Sequence, residues 1–312
     1  MGFIVTLCLV LLSLEVFLRW RGRNTPPPVS EDALRLREET RALRQEDVAR
    51  AFRVVAFGDS IPHGWGLEYR ESYPALLERM FGDGNPDHDL RVINAGIPGN
   101  TIVLGWQRLK RDVLRWKPHV VLIGFGLNDI NLARSVYDER RERALKQRLT
   151  LIGRVKAALR CSVLWSTVVD TLKGRGQGTG APFGVDEVPK DLLPRTSRHV
   201  FELALQDIVE HIRRQKAHVV LLTMTPVSRR FLGQPEGGGQ LSELVKQYNA
   251  IIRLEAQRTG SLLIDVHARM VSRSDVESLI GWDGVHLNAK GQEALAQIVH
   301  DALDNPAILS LP

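Results

Sequence analysis

The chain has 312 residues, 44% of them hydrophobic and 25% charged, which suits a globular core and excludes a wholly disordered or fibrous protein. Its two cysteines, Cys8 and Cys161, stand far apart with no CxxC or CxxH neighbour, which argues against both a disulfide scaffold and a thiolate zinc site. The formal net charge of +6 permits nucleic acid or an anionic membrane surface as a partner and compels neither.

The first element is the run from Phe3 to Leu18, FIVTLCLVLLSLEVFL, whose one charged residue is Glu15. As a helix it covers roughly 24 Å against about 30 Å of bilayer hydrocarbon, and Gly2 and Trp20 bring it close to spanning length. Apolar residues surround the whole helix, unlike the stripe of a buried amphipathic one. A secretory signal peptide would carry a basic start and a small-x-small cleavage site, and neither is present. Residues 1–20 are therefore expected to be an uncleaved, single-pass membrane anchor. Arg19, Arg21 and Arg23 follow the run, which by the positive-inside rule alone leaves the bulk of the chain in the cytoplasm, though the side of the membrane stays open. Thr25-Pro26-Pro27-Pro28 is a stiff spacer, and Ser30-Glu31-Asp32 reads as a helix start. Up to Arg50 arginine alternates with glutamate, so residues 21–51 are expected to form a linker with a solvated connecting helix.

From Phe52 onward the pattern is α/β. Short apolar, β-branched runs recur at Arg53–Phe57, Leu90–Ile93, Val120–Phe125, His218–Thr223 and Leu262–Val266. Helical patterns lie between them at Tyr73–Phe81, Leu104–Trp116, Val200–Gln215 and Leu241–Arg258, and one follows at Ala289–Leu303. Runs without strict alternation suit strands buried on both faces, which predicts a three-layer α/β/α sandwich with a central five-stranded parallel sheet. Such sheets carry their sites at the carboxyl ends of the strands. There the sequence places Gly58-Asp59-Ser60, then Asn94-Ala95-Gly96-Ile97-Pro98-Gly99, then Gly126-Leu127-Asn128-Asp129. Asp283-Gly284-Val285-His286, the sole Asp-x-x-His in the chain, precedes the last helix. A hydroxyl, glycine amides, an amide side chain and a carboxylate–imidazole pair are the parts of a serine acyl-transfer site.

These four blocks, in this order, resemble the SGNH/GDSL hydrolase superfamily of esterases and lipases over essentially Phe52 to Leu303. The resemblance implies a flavodoxin-like strand order and a hydrolase domain over 52–312. It makes Ser60 the nucleophile, His286 its general base and Asp283 the residue that holds the imidazole. It further implies an oxyanion hole built from the Ser60 and Gly96 backbone amides and the Asn128 side chain, with no metal or organic cofactor. A serine hydroxyl needs such a base before it attacks, and the resulting oxyanion needs donors already in place. The GxSxG elbow of α/β-hydrolases is absent.

Each residue also has a plainer reading. Ser60 could cap a helix, Asn128 and Asp129 could close a turn, and the glycines could serve turns alone. Asp59 reads as structural. The run Ile61-Pro62-His63-Gly64-Trp65-Gly66 departs from the small residues usual after the nucleophile, and His63 and Trp65 are candidate substrate contacts or simple loop residues. His267, with Asp265, is a competing pair that lacks the family context. The long stretch at about 131–198 exceeds a βαβ crossover and reads as a basic, cap-like insertion. Its segment Arg134–Arg160 holds nine Lys/Arg against three Asp/Glu, and a glycine-rich loop follows at Lys173–Gly180. The reading is a serine hydrolase cleaving a carboxylic ester: an acyl lipid, an acetylated saccharide or a thioester. The alternative is a non-catalytic lipid- or carbohydrate-binding module on the same fold. A nucleic-acid partner is not expected, because no aromatic-laced basic motif is present.

Overall fold

The computed structural model describes residues 36–46, 48–84, 89–131, 194–228 and 238–304. These fall within one compact unit, Glu31–Glu142 with Leu192–Pro312. The expected anchor at 1–20, the proline spacer and the interior of the expected insertion lie outside the described residues. No helix among the described residues is long and apolar enough to cross a membrane.

Five strands form one parallel sheet: β1 Phe52–Gly58, β2 Leu90–Gly96, β3 Val120–Gly124, β4 His218–Leu222 and β5 Leu262–Ile264. Their order is β2-β1-β3-β4-β5, the flavodoxin-like arrangement. The helices are α1 Glu38–Ala42, α2 Ser60–His63, α3 Tyr73–Gly84, α4 Ile102–Asp112, α5 Arg198–Arg214, α6 Gly238–Thr259, α7 Val266–Val271 and α8 Ala289–Leu303. Each expected strand and each expected helix after Phe52 falls on one of these elements.

The unbroken apolar runs form strands because both faces are covered. Val54, Ala56, Val92, Leu122 and Val220 pack in one cluster with Tyr73 and Leu77 of α3 and Leu295 and Val299 of α8. Their neighbours Val55, Phe57, Ile93, Val121 and Ile123 are equally buried and turn to the opposite face, where α4, α5 and α6 lie. There Phe201 of α5 meets Tyr248 of α6 with ring centroids 5.0 Å apart, and Phe57 meets Phe125 at the same distance. Side chains at helix starts fix the ends. Thr101 accepts the Leu104 N–H at 3.5 Å before α4, and Asn288 accepts the Gly291 N–H at 3.1 Å before α8.

After β2 the chain crosses back over β1 to reach β3, so the connections diverge at β1 and open a crevice over the strand ends. Gly58, the last residue of β1, pairs with Gly96 on one side and Gly124 on the other. A Cβ on Gly96 would lie 2.4 Å from the His63 nitrogen, and one on Gly58 would lie 2.4 Å from the Gly124 oxygen. Glycine at these ends is what lets α2 cross close above the sheet.

The described part of the segment before β1 carries several buried side chains where a solvated connector is expected. Among its described residues, 36–46 and 48–51, the helix α1 has five residues, and Leu36, Thr40, Val48 and Ala51 are buried. In these described residues the alternating charges decorate a stretch that packs on the domain through a few spaced side chains. With so few apolar residues, no periodicity betrays it.

Candidate active site

β1 hands the chain to Asp59, whose carboxylate accepts the Ile61 N–H at 3.0 Å and so caps α2. Ser60 opens that helix. Gly64 ends it in the left-handed region at φ 71°, donating its N–H to the Ile61 carbonyl at 3.1 Å. Three buried polar side chains hold this turn to the surrounding layers. Asn94 donates to the Pro62 carbonyl at 2.7 Å, and Gln292 of α8 donates to the Ile61 carbonyl at 3.0 Å while accepting the Tyr73 N–H at 2.8 Å. Arg108 of α4 donates to the Gly58 carbonyl at 2.7 Å and the Ala95 carbonyl at 2.8 Å, and pairs with Asp112 at 3.2 Å. Its guanidinium lies over the Phe57 ring at 4.8 Å. A buried arginine fits here because carbonyls and a carboxylate meet its fixed fork of donors.

The second part of the site is the turn before α8. Asp283 Oδ1 accepts the N–H groups of Val285 and His286, each at 3.0 Å, and Gly284 at φ 75° lets the chain reverse. The Ser228 N–H donates to the Gly284 carbonyl at 2.8 Å and Gly281 donates to the His286 carbonyl at 2.7 Å, which pin the turn from both sides. This leaves Asp283 Oδ2 facing His286 Nδ1 at 2.5 Å. On the other edge of the ring, His286 Nε2 lies 2.9 Å from Ser60 Oγ. With Asp283 ionised, the imidazole keeps its proton on Nδ1 and presents the Nε2 lone pair to the serine hydroxyl. Partial burial pushes the Asp283 carboxyl up, but the Val285 amide, the His286 imidazole and the His286 amide outweigh it and hold the group below the ordinary carboxylate value.

Ser60, His286, Asn128, His63 and Trp65 line one cavity of about 610 Å³, together with Pro98 and Gly99. That volume accommodates a small organic ligand. Asn128, at the end of β3, donates through Nδ2 to Asp59 Oδ2 at 3.4 Å. Burial raises the Asp59 carboxyl to about 6, against the pull of the Ile61 amide, His286 and Asn128. Its structural reading holds, since it caps α2 and contacts Asn128. His63 is a wall of the cavity, and burial together with Arg37 lowers its imidazole to about 4, so at neutral pH it is uncharged. Trp65 stands 52% exposed with its ring centroid 6.1 Å from that of His286.

The expected role of Gly96 meets a competing contact. Its N–H donates to Asn94 Oδ1 at 3.0 Å, and the residue is buried beneath the turn rather than lining the cavity. Gly99 takes the place on the wall, exposed and at φ 76°. Gly96 is the last residue of β2 and Gly99 lies three residues on, and spacing alone does not separate their roles; the distinguishing signal is that Gly99 sits beside the helix start at Thr101. Asp265 and His267, the competing pair, are apart from this cavity. Asp265 binds Arg253 at 2.8 Å, accepts from Thr223 at 2.9 Å and caps α7, which accounts for its carboxylate. The expected insertion leaves and re-enters beside the site, where Arg195 donates to the Asn131 carbonyl at 2.9 Å and Thr196 to the Asp129 carbonyl at 3.1 Å.

Comparison with known proteins bears on the whole arrangement. The family model described as GDSL-like Lipase/Acylhydrolase matches residues 56–294. A curated acetylxylan esterase of Xylanibacter ruminicola is 25% identical over 271 residues, 81% of this chain and 43% of that protein. Esterase TesA of Pseudomonas aeruginosa is 38% identical over 87 residues, 28% of this chain and 41% of that protein. The chain thus spans less than half the length of these curated relatives. Among solved structures, a lipase/acylhydrolase from Enterococcus faecalis superposes with a TM-score of 0.54 at 20% identity, covering 80% of this chain and 94% of that one.

Proposed function

This chain belongs to the GDSL-like lipase/acylhydrolase family, and we propose that it is a serine ester hydrolase working through an acyl-enzyme on Ser60. The observation that carries the reading is the continuous relay from Ser60 Oγ to His286 Nε2 at 2.9 Å and from Nδ1 to Asp283 at 2.5 Å, set on the wall of an open cavity. In the proposed reaction Ser60 Oγ attacks the ester carbonyl while His286 takes its proton. The same proton then goes to the leaving alcohol as the C–O bond breaks, and water repeats the sequence to free the acid. The substrate is a carboxylic ester, whether an acyl lipid, an acetylated saccharide or a thioester. The acetylxylan esterase and TesA relatives support esters broadly. Turnover of a panel of acetyl, medium-chain and thioester substrates tests this; a folded chain inert on all of them would favour the non-catalytic binding module.

The oxyanion that forms on attack is held, in this proposal, by the Ser60 and Gly99 backbone amides and by Asn128, with Gly99 in place of Gly96 for the reasons of geometry above. Asn128→Ala is expected to lower kcat by about 10²–10³ with KM little changed, because the lost donor acts in the transition state. Asn128→Asp should do at least as badly, since a carboxylate cannot donate and repels the developing charge. An active Asn128→Asp enzyme, or a phosphonate adduct whose phosphoryl oxygen bonds Gly96 rather than Gly99, would overturn this assignment.

The proposal extends to attachment, on the strength of the apolar run Phe3–Leu18. The full chain should stay with membranes through high-salt and carbonate washes, and its release into the supernatant would defeat the anchor.

A further inference from the structure

We propose that Arg37, which lies ahead of the residues the family model matches, is a positioning residue: it locks the turn His63–Leu67 and thereby sets the Trp65 wall of the active-site cavity. Its Nη1 shares two N–H donors among three carbonyls of that turn, His63 at 3.2 Å, Gly64 at 3.5 Å and Leu67 at 3.1 Å. Arg37 adds to the turn's own bonds, in which the Trp65 N–H donates to the Ser60 carbonyl and the Leu67 N–H to the Gly64 carbonyl, each at 3.1 Å. Gly64 and Gly66 sit at φ 71° and 80°, two left-handed positions in three residues, and the backbone between them carries Trp65. Carbonyls that close a helix and reverse the chain in this way gather partial negative charge that a cation offsets. One terminal nitrogen, Nη1, faces all three, and the planar, delocalised guanidinium keeps its charge while it does so.

Arg37 is itself held firmly. Its side chain is 13% exposed, lies over the Tyr69 ring at 5.6 Å and is 3.7 Å from Glu39. The buried Leu36 and Thr40 on either side fix the strand of chain that presents it. Trp65, by contrast, is half exposed, and the rings near it are His63 at 6.4 Å and His286 at 6.1 Å. The position of that indole follows from its backbone, and Arg37 ties that backbone down from outside the turn. Ser60 does not depend on the contact in the same way, because Asp59, Arg108 and Gln292 hold its end of the turn. The arm therefore tunes the fit of the bulkier part of an ester and leaves the proton relay in place.

This inference rests on the ester-hydrolase reading for its kinetic assay and not for its structural one. In the full chain, Arg37→Ala is expected to raise KM for a naphthyl ester about five- to tenfold while kcat stays within about twofold. Hydrogen exchange at the Gly64, Trp65 and Leu67 amides should quicken in the same variant. Millimolar guanidinium should reverse the KM change in Arg37→Ala and do nothing to the unaltered enzyme, a rescue that a merely structural role would not show. Arg37→Lys should fall between, and it supplies the test if the alanine variant does not fold. Unchanged KM and unchanged exchange in either folded variant would overturn the proposal. If the unaltered chain turned over no ester, that would defeat the hydrolase reading instead, and the exchange measurement would still decide on Arg37.

Discussion

Ser60→Ala and His286→Ala are each expected to cut kcat by about 10⁶, and the double variant should be hardly worse than either. The reason is geometric. Ser60 Oγ has its base at 2.9 Å, and neither group accomplishes the transfer without the other. A hydroxyl with no acceptor stays protonated and weak, and an imidazole with no hydroxyl has only water to activate. The activity that survives should come from the oxyanion hole and from binding. Steady-state turnover on the best ester of the panel checks this, with far-ultraviolet circular dichroism to show that each variant is folded. Additive losses, with the double variant far below both singles, would mean that the two residues serve separate steps.

Asp283→Asn is expected to lower kcat by about 10⁴ with little change in stability. Asp283 has two jobs on two oxygens, and the substitution separates them. An asparagine can keep its carbonyl oxygen toward the Val285 and His286 amides, where Oδ1 now sits at 3.0 Å from each. Its NH₂ then replaces Oδ2 in front of His286 Nδ1, at the position of the present 2.5 Å contact. A donor facing Nδ1 forces the ring proton onto Nε2, and the base no longer has a lone pair for Ser60. The turn survives while the tautomer is wrong. Thermal melts of Asp283→Asn and of the unaltered chain should agree within a few degrees. Activity within tenfold of the original would show that Asp283 only shapes the turn.

The fold was largely legible because the strands are buried on both sides. Runs such as Val120–Phe125 carry no polar alternation, and that absence by itself points to helices on each face of a parallel sheet. The relay was equally legible, since Asp283 and His286 are three residues apart and their contact is local to one turn. The part played by Gly96 is not legible, because sequence shows that a glycine amide stands near a strand end and not where it points. Its neighbour Asn94 takes that amide, and only the fold reveals the competition. The arm at Leu36–Val48 escaped for a different reason. Its contacts span 26 to 30 residues and use backbone carbonyls as acceptors, which leave no pattern in side-chain types. Arg108 and Gln292 were hidden likewise, as polar residues on helices whose partners lie 50 and 231 positions away.

In the proposed reaction Ser60 carries the acyl group. A fluorophosphonate with a reporter, followed by peptide mass spectrometry, reads this directly, because the reagent phosphonylates a serine that an adjacent base has activated. The account predicts one adduct, on the peptide holding Gly58-Asp59-Ser60, formed quickly in the unaltered chain and lost in His286→Ala. An adduct on any other serine, or labelling of Ser60 at the same rate without His286, would contradict it.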